Sequence, residues 1–432
     1  MGVPTASIHT EVFLPLVKTY ARMVGKPELR FAFVPQPVSR ESSEKCREYI
    51  EGIDPATGKP VMDEIVDALT KPLSVEDTLT KTEDRPVSRL IGPDTEENLR
   101  LYFMENGMTD YLPIILPTEV RVAEMLKGTS HQPGEIVGEV RAGYEAYSLT
   151  VEKVAAIAVM AGARPEYLPV ILAIAASGVS CIASSTNNFA RMITVNGPIT
   201  KEIKMNSGIG ALSPLNQANA VIGRAGTLLA LNLGGGKLDE TYWGNQGNNL
   251  NYNNVTFAEN EEALPEGWKP FHVQNGFEPQ ESAVSLFHGW GIWLWKNTYE
   301  NLKHEAILHL AGWVGPFGVR TGIGLLLDPI VAEGLVSEGF PTKESLSEYV
   351  QKNSKYTLGE HWQYHSVETS RAAAKQGIEP FASQLKQPPE TLIERYSSPD
   401  AISVLVVGGR TNEFWQAGDW THLGSYSIDE WR

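Results

Sequence analysis

Glu259 stands directly after the apolar run "VTFA" in "VTFAENEEALPEGWKPFHV". That order puts a carboxylate at the end of a buried strand, where desolvation raises its pKa and fits it for proton transfer. A structural role for the same carboxylate stays open beside it. Glu261 and Glu262 read as a solvated acidic turn, with His272 close behind. Arg164, in "MAGARPEY", opens a helix, so its fork and the free backbone N–H groups there suit a carboxylate; an ion pair with Glu166 is the alternative. A third group is amide-rich: Asn206, Ser207 and Gly208 in "NSGIG", then Asn219, together with the asparagines of "SSTNNF" and "GNQGNNLNYNN". Uncharged amides orient a polar ligand through donor and acceptor alike.

The stretch "SGIGALSPLNQANAVIGRA" has two glycines of a dinucleotide fingerprint, Gly208 and Gly210, but Ser213 takes the place of the third. No clear strand precedes it and no Lys-Ser/Thr pair follows, so neither a Rossmann turn nor a P-loop is indicated. Two readings remain. Ala218, Ala220, Gly223 and Ala225 let a helix approach closely, and the loop lines a site for a small anion at a helix N-terminus. His361 and His365 in "HWQYH" share a helix face, whereas His304 and His309 are five apart. Without a third ligand no metal is assigned, and the sequence names no cofactor. Nucleophile-elbow, kinase and CxxC patterns are missing. The aromatic "FHGWGIWLW" suits a core or subunit interface.

These residues sit on alternating elements. The spacing predicts an α/β fold: a small α/β lobe over residues 1–72, a linker over 73–88, a larger mixed α/β body over 89–328, and a helical segment with a terminal strand returning to the body over 329–432. In the lobe, "TASIHTEVF" and "RFAFVPQPV" read as strands around a helical "LPLVKTYARMVG", with a second helix over "PVMDEIVDALTKPL". In the body, "TVEKVAAIAVMAG" is a helix capped by Thr150 and stopped by Gly162. "RPEYLPVILAIAAS" and "QANAVIGRAGTLLALNLGGG" are two more. The stretch from "HGWGIWLW" onward reads as aromatic and then helical, and residues 329–395 as helical and polar. "AISVLVVGGRTNEFW" reads as a buried strand with little chain after it.

The chain has 52 acidic and 36 basic side chains among 432 residues, a formal net charge of −16. Such a surface repels nucleic acid and anionic lipid, so neither is an expected partner. Two distant cysteines, Cys46 and Cys181, suit a reducing cytoplasm. The first residues lack a signal-peptide pattern, and the longest apolar stretch, "VILAIAASGVSCIA", is too short to span a bilayer.

The stretches "YLPIILPTEVRVAEMLKGT", "VEKVAAIAVMAGARPEYLPVILA", "VNGPITKEIKMNSGIGALSPLNQANAVIGRA" and "FAENEEALPEGWKPFHV", in this order, resemble the body domain of the UGSC-type (seleno)protein family. Likeness also extends to "LLDPIVAEGLVSEGFPTKESLSEYV" and "VLVVGG". The family writes "AGCRPEY" where Ala163 stands here. "GVPTASIHTEVFLPLVKTYARMVGKPELRFAFVPQPV" resembles the second half of the UGSC domain, without the (Sec/Cys)-Gly-Ser-Cys segment of its first half. The resemblance implies a second subunit that supplies the missing half-domain against residues 1 to about 73. The expected function is a subunit of a cytoplasmic enzyme acting on a small polar or anionic metabolite, of acid–base lyase or hydratase type. Glu259 would transfer the proton, and Arg164, Asn206, Ser207, Gly208 and Asn219 would hold the substrate in one pocket with Ala163. Two alternatives stand: thiol or selenol redox or sulfur chemistry with the reactive group on the partner, and a non-catalytic binding or scaffold subunit.

Overall fold

The computed structural model describes residues 4–432, apart from 24–25, 27, 39–40, 73–87, 143–144, 183–185, 187, 234–235, 239–241, 297–301, 314–321 and 366–367. The expected linker falls almost wholly outside these residues.

The N-terminal lobe is a βαβ unit. Strand β1 (Ser7–Thr10), helix α1 (Leu14–Met23) and strand β2 (Phe31–Val34) follow one another, and the strands pair in parallel with Ser7 opposite Phe31. Helix α2 (Ser43–Glu51), which the sequence reading did not anticipate, starts on the Ser42 hydroxyl, an acceptor for the Lys45 N–H. Helix α3 (Val61–Thr70) lies where the apolar spacing places it, and its Val61 joins Ala32 and Val34 in a small core. Buried Asp54 accepts the Phe33 N–H at 2.7 Å and also caps the turn at Ala56 and Thr57.

The body begins with α4 (Glu96–Glu105) and α5 (Glu119–Met125), then a hairpin of β3 (Ile136–Ala142) and β4 (Glu145–Thr150). Helix α6 (Val151–Ala161) has Thr150 as N-cap, its side chain accepting from Lys153 N, and ends on Gly162 at φ +86°. Only glycine takes that conformation cheaply. Helix α7 (Leu168–Ala176), strand β5 (Ala190–Asn196), helix α8 (Gln217–Asn232) and strand β6 (Val255–Ala258) come next. Gly223 in α8 answers part of the question its small residues raise: a Cβ there would lie 1.7 Å from the Asn253 carbonyl oxygen. The helix needs the missing methyl to dock.

Strands β7 (Ala283–Gly289) and β8 (Trp293–Lys296) occupy the stretch read as aromatic and then helical; helix α9 (Lys303–Trp313) follows only after them. Strand β9 (Ile323–Leu327), helices α10 (Pro329–Ser337) and α11 (Lys343–Asn353), a short β10–β11 pair (Lys355–Thr357 and Leu392–Glu394) and strand β12 (Ile402–Val406) lead to the last two strands. These are β13 (Phe414–Gly418) and β14 (Thr421–Ser427), where the sequence reading expected little more chain of consequence.

The result is two four-stranded sheets, ordered β14-β7-β5-β6 and β12-β9-β13-β8. Strand alternation sorts their side chains into three cores. Ile193, Val195, Val284 and Leu286 of the first sheet pack against α6, α7 and α8. Ile323, Leu325, Val404 and Val406 of the second pack against α9, α10 and α11. The opposite faces, with Met192, Phe257 and Phe287 against Leu326, Leu405 and Trp420, form the core between the sheets. The body is therefore a four-layer helix–sheet–sheet–helix stack. Gly324 lets the layers meet, since a Cβ there would sit 3.1 Å from Trp420. Strand β9 pairs in parallel with β12 across residue 328, so the segment after that residue shares a sheet with the body. No helix among the described residues is long and apolar enough to cross a membrane.

Candidate functional site

Glu259 follows the last residue of β6, as expected, and its side chain has no exposed surface. Its carboxylate is fully engaged. Oε1 accepts from Lys343 Nζ at 2.6 Å and Val406 N at 3.2 Å; Oε2 accepts from Phe271 N at 2.6 Å and Asn196 Nδ2 at 2.8 Å. Those donors come from α11, β12, the turn at Phe271 and β5. The carboxylate therefore ties the ends of both sheets to a helix. Lys343 is equally sealed from solvent, and the sequence reading did not single it out.

The "NSGIG" turn is also built from within. Asn219 is 2 % exposed; its Oδ1 accepts the Asn206 N–H at 3.0 Å, and its Nδ2 donates to the carbonyls of Asn206 and Ala211. Asn206 Oδ1 accepts from Gly208 N, and its Nδ2 donates to the Ile209 carbonyl. Both amides are occupied in shaping the loop. The Ser207 carbonyl then accepts the Gly408 N–H at 2.8 Å, while Asn260, next to Glu259, donates from its backbone to Val406 O and from its side chain to Gly408 O. Three distant motifs, "NSGIG", "FAENEE" and "VLVVGG", thus converge.

A cleft of about 370 Å³ opens where they meet. Ile209 to Ser213 form one wall; Val407, Gly408, Gly409, Thr411 and Asn412 form the other, with Gln416 and Asp328 beside them. It lies past the C-terminal ends of the parallel pair β9 and β12, where open α/β sheets commonly hold ligands. Asp328 is 6 % exposed and caps α10, its Oδ1 accepting from Val331 N and its Oδ2 from Phe414 N. Burial pushes its carboxyl above the usual carboxylate range, although these amides pull the other way. The backbone N–H groups of Gly409, Arg410, Thr411 and Asn412 have no acceptor among the described residues.

Arg164 is not brought to this cleft. It is exposed, 3.9 Å from Glu166, and the turn after it lines another hollow with Gly128, Glu202 and Arg432. That hollow shares no residue with the cleft. Ala163 packs against the helical core beside β5. Ser207 and Gly208 belong to the turn next to the cleft wall and Glu259 precedes Asn260, which bonds Gly408, but none of the three lines the cleft, and neither do Ala163 and Arg164. Asp328, Gly409, Thr411 and Asn412 went unnoticed in the sequence, although "GLLLDP" repeats the signal of "VTFAE": an apolar run ending in a carboxylate.

His361 Nδ1 is 2.9 Å from the Tyr356 hydroxyl within a π-helical turn, and the side chain of His365 lies outside the described residues. Among the described residues no cluster of three or more His, Cys, Asp or Glu side chains is placed to hold a metal. Cys181 is buried and its thiol is pushed up to about 11; Cys46 is half-buried.

The family comparison bears on the lobe. Residues 1–74 match the UGSC family. This is the βαβ unit with α2 and α3, so the UGSC-like segment is the lobe, and the cleft lies outside it. No curated protein matches the chain.

Proposed function

We propose that this chain is a subunit of an enzyme that binds a small polar or anionic metabolite in the cleft between "NSGIG" and "VGGR" and acts on it by acid–base chemistry, as a lyase or hydratase. The supporting observation is Asp328: a buried carboxyl, shifted upward by that burial, on the wall of a cleft edged by backbone N–H groups that have no acceptor among the described residues. An upward shift is the direction that suits a carboxyl for acid–base chemistry. The proton-transfer role moves from Glu259, which is ion-paired with Lys343 and does not line the cleft, to Asp328, which does. Asn206 and Asn219 position the loop, and Ser207 and Gly208 belong to the same turn. Arg164 has no part in the cleft.

A second subunit remains part of this reading. The lobe leaves Tyr20 and Leu29 exposed around an apolar hollow that His9, Phe13 and Phe31 also line. The alternative of thiol or selenol chemistry places its reactive group on that subunit; burial leaves Cys181 protonated.

The test starts with a metabolite extract. Compounds that raise the melting temperature of the chain are identified by mass spectrometry and assayed with the assembly purified from its source. Asp328→Asn is expected to lower kcat at least 100-fold, while Arg164→Gln leaves kcat/KM within a few-fold. Turnover retained in Asp328→Asn, or lost in Arg164→Gln alone, overturns the assignment.

A further inference from the structure

Residues 88–125 lie as a further layer on helices α6 and α8 of the body. Arg224 of α8 grips the Asp110 carboxylate at 2.8 and 2.9 Å and donates to the Pro113 carbonyl. Asn232, at the end of α8, donates to the Met108 carbonyl at 2.9 Å, and the Ile115 N–H donates to the Met160 carbonyl of α6. Arg89 reaches Glu152, in the first turn of α6, at 2.6 Å. Phe103, Ile114, Leu116, Val122 and Met125 complete the attachment by joining the helical core.

The opposite face of the layer is apolar too. On α4, Leu101 stands two residues from both Leu99 and Phe103, which puts it on the far side of the helix from them. In the extended stretch that follows, exposed Ile115 alternates with buried Ile114 and Leu116. Val120 of α5 is two residues from buried Val122 and is 80 % exposed. Tyr102, Tyr111 and Leu112 are exposed with them. Together these six side chains leave on the order of 700 Å² bare, above the apolar patch of about 300–600 Å² that a typical monomer shows. Tyr111 has φ +61°, a conformation that a bulky residue adopts only under constraint. Thr109 Oγ1 accepts its N–H at 3.1 Å, and Asp110 Oδ1 accepts the Leu112 N–H at 3.2 Å. The turn thus fixes an aromatic ring that is 74 % exposed.

Charge and area select the occupant. Arg89, Arg100 and Asp110 are already ion-paired within the chain, to Glu152, Glu96 and Arg224, so they do not call for a charged partner. A second copy carries the same net charge of −16 and is repelled by an acidic surface. It can settle only where apolar contact outweighs that repulsion. An apolar face is also complementary to itself, as a two-fold contact requires. The bare area comes close to the ~800 Å² that each partner brings to an interface of standard size. We propose that two copies of this chain associate through the layer 88–125 about a two-fold axis, with Tyr111 as an anchor. The apolar hollow at Tyr20 and Leu29 of the lobe takes no part in this contact.

Sedimentation velocity of the full chain tests this. A dimer with Kd below about 10 μM is expected. Tyr111→Asp and Val120→Asp should each weaken it about ten-fold or more, the loss typical of an interface anchor, and together leave a monomer. Aspartate tolerates a left-handed backbone and suits the first turn of a helix such as α5, so the near-ultraviolet tryptophan dichroism should stay native in both. Tyr20→Asp, on the lobe, should leave the dimer unchanged. In the wild-type chain, amide exchange over residues 109–120 should slow as concentration rises, which decides the matter if a variant does not fold. The proposal is overturned if the wild-type chain is monomeric at about 100 μM, if the folded double variant stays dimeric, if Tyr20→Asp alone dissociates the dimer, or if the slowing falls only outside residues 88–125.

Discussion

Glu259 and Lys343 face each other at 2.6 Å with no solvent on either side chain. Removing one partner of such a pair strands the other charge in the core, at a cost of about 3–5 kcal/mol, whereas replacing both is often nearly neutral. Glu259→Gln and Lys343→Met should each lower unfolding free energy in urea by about that amount, and the double variant should recover at least half of the loss. Glu259→Gln that kept full stability but lost turnover would instead return the proton-transfer role to Glu259. The carboxylate was legible in the sequence because its apolar run and the change to polar residues are local. Its purpose was not, because Lys343 lies 84 residues downstream and only the tertiary fold supplies it. The same holds for Arg164: a helix-start arginine is a local signal, but which hollow it borders is not.

Helices were read better than strands, for a physical reason. Helix α6 declares its cap at Thr150 and its stop at Gly162 within its own residues, whereas β8, β13 and β14 are short and lean on partners far away. Strand β14 leads into the segment 428–432, which the body holds through the loop at Thr129–His131. Thr129 Oγ1 donates to the Trp431 carbonyl at 2.7 Å, and Ser130 bonds the Arg432 carbonyl. His131 Nδ1 meets Glu135 Oε1 at 2.7 Å, Nε2 meets the Glu430 carbonyl at 2.6 Å, and the ring lies 5.0 Å from Trp431. Both partners only accept, so both bonds require the imidazolium. Glu135 raises the folded-state pKa of His131 above its ordinary value. The contribution is therefore fully present below about pH 6.5 and lost as pH rises through the folded-state pKa. Amide exchange over 428–432 should be slower at pH 6 than at pH 8, after correction for intrinsic rates, and His131→Gln should flatten that difference. An unchanged pH dependence in His131→Gln would show that the ring does not hold the segment.

The last two strands tie the segment after residue 328 into the four-layer body. Strand β13 stands between β9 and β8, and β14 pairs with β7, so the last two strands complete one sheet each. Between them Asp419 accepts the Trp290 N–H and Trp420 enters the core between the sheets with no exposed surface. The alternation of strand and helix signals announced an α/β protein correctly, but the strand order of a sheet whose middle is filled by a late strand leaves no periodic mark. Removing residues 410–432 would expose the flanks of β9, β8 and β7 as unpaired backbone and open the interlayer core where Trp420 sits. That truncation is expected to abolish the cooperative unfolding transition and the near-ultraviolet tryptophan dichroism. A chain starting at Ser88 should keep both, because the lobe has its own small core and meets the body through few contacts, among them Phe13 on Trp243. If the 410–432 deletion unfolded cooperatively with native dichroism, the two sheets would not depend on their last strands and the body would divide near residue 328 after all.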